Sequence, residues 1–246
     1  MKKILFILFL IPSLLVGSKI ADKSHYLIDG LVIEDLSQFD QNLLDSCLNI
    51  YHHSQQDTIK IEALNVICDN LVSDVWSDYQ FVLDDLLDET LAKEITPSER
   101  YILEVVKGGS LNNIGLFYEF QKGNSSKALG YYLKALKLFK KLGNKHGEAM
   151  LLNRVGTIYT NQDDIEKGYE YYKKSLSLYR SLDEKDEIAN PMNNLGSYYK
   201  DKQDYTTALF YYKQSLEIDV KVNNKQGSAT LYSNIGGVYT VLKRYD

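Results

Sequence analysis

The sequence predicts an all-α protein built as a solenoid of antiparallel helix pairs, and three observations carry that prediction. Only 3 of the 246 residues are Pro, so long helices can run without interruption. A pattern returns every 40 residues: Asn153, Gly156 and Tyr159 recur as Asn193, Gly196 and Tyr199, then as Ser233, Gly236 and Tyr239. Within each unit the apolar residues keep a helical period twice, first around the glycine and then around a Tyr-Tyr pair. The register holds throughout. Residues 149–188 laid over 189–228 give 11 identities in 40 positions, among them Tyr171-Tyr172-Lys173 with Tyr211-Tyr212-Lys213, where average composition yields about two or three.

The amino terminus reads as a secretory signal over residues 1–18. Lys2 and Lys3 precede the apolar run Ile4 to Val16, and Val16-Gly17-Ser18 offers small residues for cleavage. The run has 13 residues, short of the roughly 20 needed to span a bilayer, so an uncleaved anchor is the less favoured reading. The expected mature chain is exported, periplasmic or otherwise extracytoplasmic. Such a destination permits a disulfide between Cys47 and Cys68, the two cysteines of the chain, although two buried thiols fit their spacing as well. The adjacent His52 and His53 point about 100° apart on a helix, which is no metal-ligand spacing, and they are expected to face solvent.

Residues 19–108 read as less regular helices. Leu43, Leu44, Cys47, Leu48 and Tyr51 keep one face, and Ile61, Leu64, Ile67, Cys68 and Leu71 keep another. Thr96-Pro97-Ser98-Glu99 is a capping box with Pro at the first helical position. Degenerate helix pairs covering the first regular repeat are expected here, with an independent small helical domain as the alternative.

The regular array occupies residues 109–246. Its first copy places Asn112, Gly115 and Tyr118 in register, then Ala128, Tyr131-Tyr132 and Ala135 one residue late, so one residue is inserted, expected in a turn near Gly123 to Ser126. Turn formers recur within the units at Asn161-Gln162-Asp163-Asp164 and Asp201-Lys202-Gln203-Asp204. They recur between units at Gly143-Asn144-Lys145, Asp183-Glu184-Lys185 and Asn223-Asn224-Lys225. Gly115, Gly156, Gly196 and Gly236 on first helices, with Ala128, Gly168 and Ala208 on second helices, mark close crossings beside which Tyr172 and its counterparts fill the space. Tyr245-Asp246 matches Tyr205-Thr206, the opening of a second helix. The favoured reading is three full repeats plus the first helix of a fourth, in a piece of a longer protein, with a terminal cap helix as the alternative.

This order of glycine, tyrosine, small residue, aromatic pair and small residue resembles the tetratricopeptide repeat over residues 109–246. The resemblance implies a right-handed superhelix. The unit is longer than the family's usual 34 residues and lacks the proline that closes the second helix, with Lys140, Arg180 and Val220 near that place. Both departures fit the longer family variants found in kinesin light chains and bacterial signalling proteins.

No GxGxxG, GxxxxGK, GxSxG, HExxH or paired CxxC occurs, so no enzyme, cofactor or metal site is expected. A net charge of −5 argues against nucleic acid. At 100° per residue, one side of each first helix faces an open groove. It carries Asn112, Asn113, Leu116, Glu119 and Phe120; Asn153, Arg154, Thr157, Thr160 and Asn161; Asn190, Asn193, Asn194, Ser197, Lys200 and Asp201; and Thr230, Ser233, Asn234, Thr240 and Val241. An amide offers a donor and an acceptor, so Asn113, Asn194 and Asn234 could pair with successive peptide groups of an extended ligand. They stand at the place of the asparagine ladders in peptide-binding relatives, where Arg154 replaces the amide. The competing expectation is that these asparagines bond neighbouring helices or water. Only Arg154 and Lys200 are basic in the groove, which disfavours a carboxylate clamp. Tyr118, Tyr159, Tyr199 and Tyr239 are expected to be structural.

The expected function is a non-catalytic interaction module that takes an extended peptide or partner protein in its concave groove, at Asn113, Asn153, Arg154, Thr157, Asn193, Asn194, Ser197, Lys200 and Asn234. The alternatives are the sensor region of a larger membrane signalling protein, with a histidine kinase or regulator output beyond Asp246, and a scaffold that makes contacts on its convex face. A membrane tether would come only from downstream sequence.

Overall fold

The computed structural model describes residues 23–28, 31–182, 184 and 186–243. Residues 1–18, expected from the sequence to be a signal, Asp183 and Lys185 of the middle link, and Tyr245-Asp246 lie outside the described residues. Among the described residues the secondary structure is helical throughout: α1 (Gln38–His53), α2 (Asp57–Asn70), α3 (Trp76–Leu91), α4 (Pro97–Leu116), α5 (Ser125–Leu142), α6 (Lys145–Asn161), α7 (Ile165–Ser181), α8 (Ala189–Asp201), α9 (Tyr205–Lys221) and α10 (Lys225–Leu242). None of these helices is long and apolar enough to cross a membrane. The chain divides into two compact units, one up to Tyr79 and one from Gln80, with the boundary inside α3.

In the first unit α1 packs on α2, and Leu44, Leu48, Leu64 and Ile67 of these two helices are buried. Ser37 caps α1 by accepting the Asp40 N–H. Asp40 is itself 2% exposed, and its two carboxylate oxygens accept the backbone N–H groups of Val72 at 3.0 Å and Ser73 at 3.2 Å, tying the exit of α2 to the start of α1. Cys47 and Cys68 are buried free thiols. Burial pushes them up to about 11 and about 12, because the thiolate would lose its hydration. His52 and His53 are exposed, with His52 Nε2 at 2.8 Å from the His25 carbonyl.

The second unit stacks the pairs α4/α5, α6/α7 and α8/α9, then α10. Each pair turns in the same way: Gly123, Asp163 and Gln203 take positive φ of 59°, 66° and 61°, and Asn124, Asp164 and Asp204 then cap the second helix by accepting the N–H three residues on. Since these turns have one length, the inserted residue of the first copy is not in the turn. It is absorbed as a single π-helical turn, Phe117–Gln121, at the end of α4. There Lys122 N–H donates to the Phe117 carbonyl, five residues back, where Gln162 donates four back to Ile158. The middle link also differs: α8 has 13 residues against 17 in α6. Pro191, whose ring would clash with the carbonyl four residues back, confines the helix start to Ala189.

The crossings form where the glycines and tyrosines place them. A Cβ on Gly115 would lie 2.4 Å from the Tyr132 ring, on Gly156 2.7 Å from Tyr172, and on Gly196 2.6 Å from Tyr212. Tyr132 and Tyr212 are fully buried and Tyr172 nearly so, and that burial raises all three phenols above their usual range. A second layer stacks Tyr118 on Tyr131, Tyr159 on Tyr171 and Tyr199 on Tyr211 at centroid distances of 5.5, 5.5 and 5.6 Å. Lys127 and Lys167 lie over the first two pairs.

Candidate functional site: the polar row of the first helices

The residues two and three places before each glycine link successive first helices. Asn194 donates Nδ2–H to Asn153 Oδ1 at 2.9 Å, and Asn234 donates to Asn193 Oδ1 at 3.0 Å. Each bond joins residues 41 apart. Asn113 does the same toward the preceding helix, donating to Gln80 Oε1 at 3.0 Å. Gln80 in turn donates to Ser110 Oγ, and Ser110 to Asp84 Oδ1 at 2.7 Å, whose other neighbour is Lys107 at 2.9 Å. The asparagines therefore form rungs between helices. Each rung uses one amide hydrogen, so part of every amide's bonding capacity is left over.

One rung is missing. Arg154 stands where the donor amide would be, and its counterpart three places before the preceding glycine, Gly115, is Asn112. Asn112 is 7% exposed and buried rather than turned to the groove, and its Oδ1 accepts no hydrogen bond. The Nε of Arg154 is likewise buried and bonded to nothing. The Arg154 guanidinium lies 6.0 Å from the centroid of the Tyr132 ring. Among the described residues no carboxylate lies within ion-pair distance of it; the nearby Glu119 accepts the Tyr132 hydroxyl at 2.6 Å instead. Among the described residues Arg154 is thus a half-buried cation with no carboxylate at ion-pair distance, and α4 carries an amide oxygen with no partner at Asn112.

The remaining residues of the row divide by what they touch. Thr157 and Ser197 bond their own helices through the carbonyls of Asn153 and Asn193, and they accept the hydroxyls of Tyr172 at 3.4 Å and Tyr212 at 3.0 Å. They secure the crossing from the groove side. Thr160 and Glu119, expected in the groove, face their own second helices: Thr160 Oγ1 lies 3.2 Å from the Tyr172 hydroxyl, and Glu119 holds Tyr132. The fourth residue after the glycine points between the paired helices, a direction that the ideal helical wheel misplaced. Lys200 is half-buried with no ion pair among the described residues. The rung rule was open to sequence reading in one respect: amides occur as neighbours at 112–113 and 193–194, the doublet that a donor above and an acceptor below require.

Stacked helix pairs locked by glycine and tyrosine define a helical repeat protein. Residues 147–219 match the tetratricopeptide repeat family, and the stacked helix pairs of the structure agree with that match. Solved structures agree on the fold. The crystal structure of BtubC (BKLC) from P. vanneervenii is similar over 87% of this chain and 85% of its own, with 20% identity and a TM-score of 0.61. PH0952 from Pyrococcus horikoshii, described as a signal transduction ATPase with numerous domains and a tetratricopeptide repeat sensor, is similar with 18% identity and a TM-score of 0.53. There the match takes in 85% of this chain but spans only 34% of that protein. Among curated proteins no sequence matches.

Proposed function

We propose that the polar row on α4, α6, α8 and α10 binds an extended stretch of a partner polypeptide, without catalysis. The rung amides offer their unused hydrogens and oxygens to the ligand backbone, and Arg154 takes one acidic side chain. The single observation that carries this reading is the missing rung. Burying two polar atoms without partners costs on the order of 1 to 3 kcal/mol each, and an asparagine at position 154 would have avoided that cost. A cation retained there is supported by a use for its charge, and a guanidinium in a half-dry site makes strong charge-assisted bonds to a carboxylate. Lone Arg154, with Lys200 one repeat away on α8, fits one acidic group and not a cluster of them.

The test is an array of unstructured peptides of varied sequence probed with the 246-residue chain. Bound peptides are expected to tolerate many sequences but to share one Asp or Glu. Failure of any peptide to bind above background would contradict the groove reading. The double substitution Asn194→Ala with Asn234→Ala is a poorer test than the sequence alone suggests, since it also removes two rungs.

A second reading is favoured by the likeness to a protein with a tetratricopeptide repeat sensor: the groove as the input site of a longer, exported signalling protein. The intact mass and membrane partition of the native gene product decide it. A species near 26 kDa, about the 28.2 kDa chain less its roughly 18-residue signal, supports a free-standing module; a larger membrane-bound species supports the receptor.

A further inference from the structure

The helix α5 carries five lysines and no acidic residue, in a chain whose net charge is −5. Lys127, Lys134, Lys137, Lys140 and Lys141 are all exposed, and at 100° per residue they share an arc of about 140° along about 21 Å of helix. The opposite side of α5 is buried in the array through Ala128, Tyr132, Ala135, Leu136 and Phe139, so the lysines form its outer face. Glu148 lies 3.7 Å from Lys140, and Glu104 2.7 Å from Lys141. Among the described residues no carboxylate comes within ion-pair distance of Lys127, Lys134 or Lys137. Lys127 and Lys134 lie instead over the Tyr118 and Tyr131 rings, 4.9 and 5.1 Å from their centroids, which orders the ammonium groups without neutralising them. The face continues on α7, where Lys174 lies over Tyr171 in the same way and lines one open cleft with Lys140 and the Lys173–Glu170 pair. α9 has Thr207, Gln214, Glu217 and Val220 at the places of Lys127, Lys134, Lys137 and Lys140, so the repeat itself does not call for lysine there. This outer side is open on all three second helices, so the exposure of α5 belongs to the repeat and not to an end of the array.

We propose that the outer face of α5 rests on the anionic headgroups of a lipid bilayer. Lysine is a compact point charge without the fork by which arginine fits a single carboxylate or phosphate, so a ridge of lysines responds to a plane of negative charge more than to any one group. Between its lysines the ridge carries Leu133, 38% exposed. A bilayer surface yields around such a ridge and offers an apolar side chain the boundary of the headgroups, which the phosphates of a nucleic acid or the carboxylates of an acidic segment do not. Because the apolar side of α5 is already buried, the contact is peripheral, set by charge and screened by salt. It uses the second helices and does not depend on the groove reading, which uses the first.

The test is sedimentation of the 246-residue chain with vesicles of phosphatidylcholine alone or with about 30% phosphatidylserine. Binding at least tenfold tighter to the anionic vesicles is expected, and its loss at about 1 M salt, where the screening length is about 3 Å. The triple variant Lys127→Gln, Lys134→Gln and Lys137→Gln should bind at least tenfold more weakly and melt as the parent does, since the three side chains stand in solvent. The same loss of charge on another surface, Lys202→Gln, Lys213→Gln and Lys221→Gln, should leave binding unchanged. A fluorophore on Gly130→Cys, where a Cβ would meet nothing within 4 Å and the native thiols are buried, should shift to the blue on anionic vesicles. That shift separates contact by α5 from insertion of the apolar run at residues 4–16. Equal binding by the parent and the α5 variant, or a fluorophore that does not shift, overturns the proposal. So does binding to polyglutamate or duplex DNA with none to the vesicles, which would make the occupant another class of polyanion.

Discussion

The junction between α4 and α6 and the junctions that follow it are built on one plan and differ in the rung between first helices. Between α6 and α8, and between α8 and α10, an asparagine donates to an asparagine; between α4 and α6, Arg154 and Asn112 leave two buried atoms unpaired. The first pair still closes around its glycine, with Tyr132 fully buried against Gly115. The difference teaches that the crossings and their aromatic filling hold the array, while the rungs add to it. A residue that only adds stability can be exchanged for one that binds.

The largest effect should come from breaking a crossing. Gly196→Leu places a Cβ 2.6 Å from the Tyr212 ring and is expected to cost about 1 to 3 kcal/mol or more. Thermal denaturation followed by circular dichroism checks it, and an unchanged melting temperature would refute the assigned packing. Removing an intact rung comes next. Asn153→Ala strands the Asn194 amide and should cost about 1 kcal/mol, measured by urea denaturation. Asn112→Ala should cost less than Asn153→Ala although Asn112 is the more buried, because its oxygen has no partner to lose. Restoring the missing rung is smaller and opposite in sign: Arg154→Asn should stabilise by about 0.5 to 1.5 kcal/mol.

The smallest effect at neutral pH is that of the buried phenols. Their folded values are raised above the unfolded one by burial, so the stability from keeping Tyr132, Tyr172 and Tyr212 protonated is complete below about pH 10 and is lost as pH rises beyond it. Alkaline titration should show these tyrosines ionising together with the loss of helix. Ionisation at 295 nm that is complete while the helical signal persists would contradict their burial.

The array was legible because size complementarity repeats: a glycine and a tyrosine 16 residues apart, as in Gly156 with Tyr172 and Gly196 with Tyr212, can be matched without coordinates. The placement of the inserted residue was not legible. Alignment locates an insertion only between matched residues, and a π turn and a longer loop look alike in sequence. Pro191 likewise reads as an ordinary helix-start proline until the shortening of α8 is seen. The candidate site was half legible. Composition and spacing put the rung-forming amides on the first helices, but whether an amide faces ligand or neighbour depends on how one repeat sits over the next. That offset, 41 residues from acceptor to donor, appears only in three dimensions. The irregular first unit, with Asp40 binding the Val72 and Ser73 amides, left no repeating signal to read.

The measurement that tests the central claim most directly is a paired one on Arg154→Asn: its stability, and its affinity for an acidic peptide that the parent chain binds. If Arg154 stands in the row for binding at the expense of a rung, the variant melts higher and binds at least tenfold more weakly. A variant that melts lower, or that binds the peptide as well as the parent does, would contradict the account.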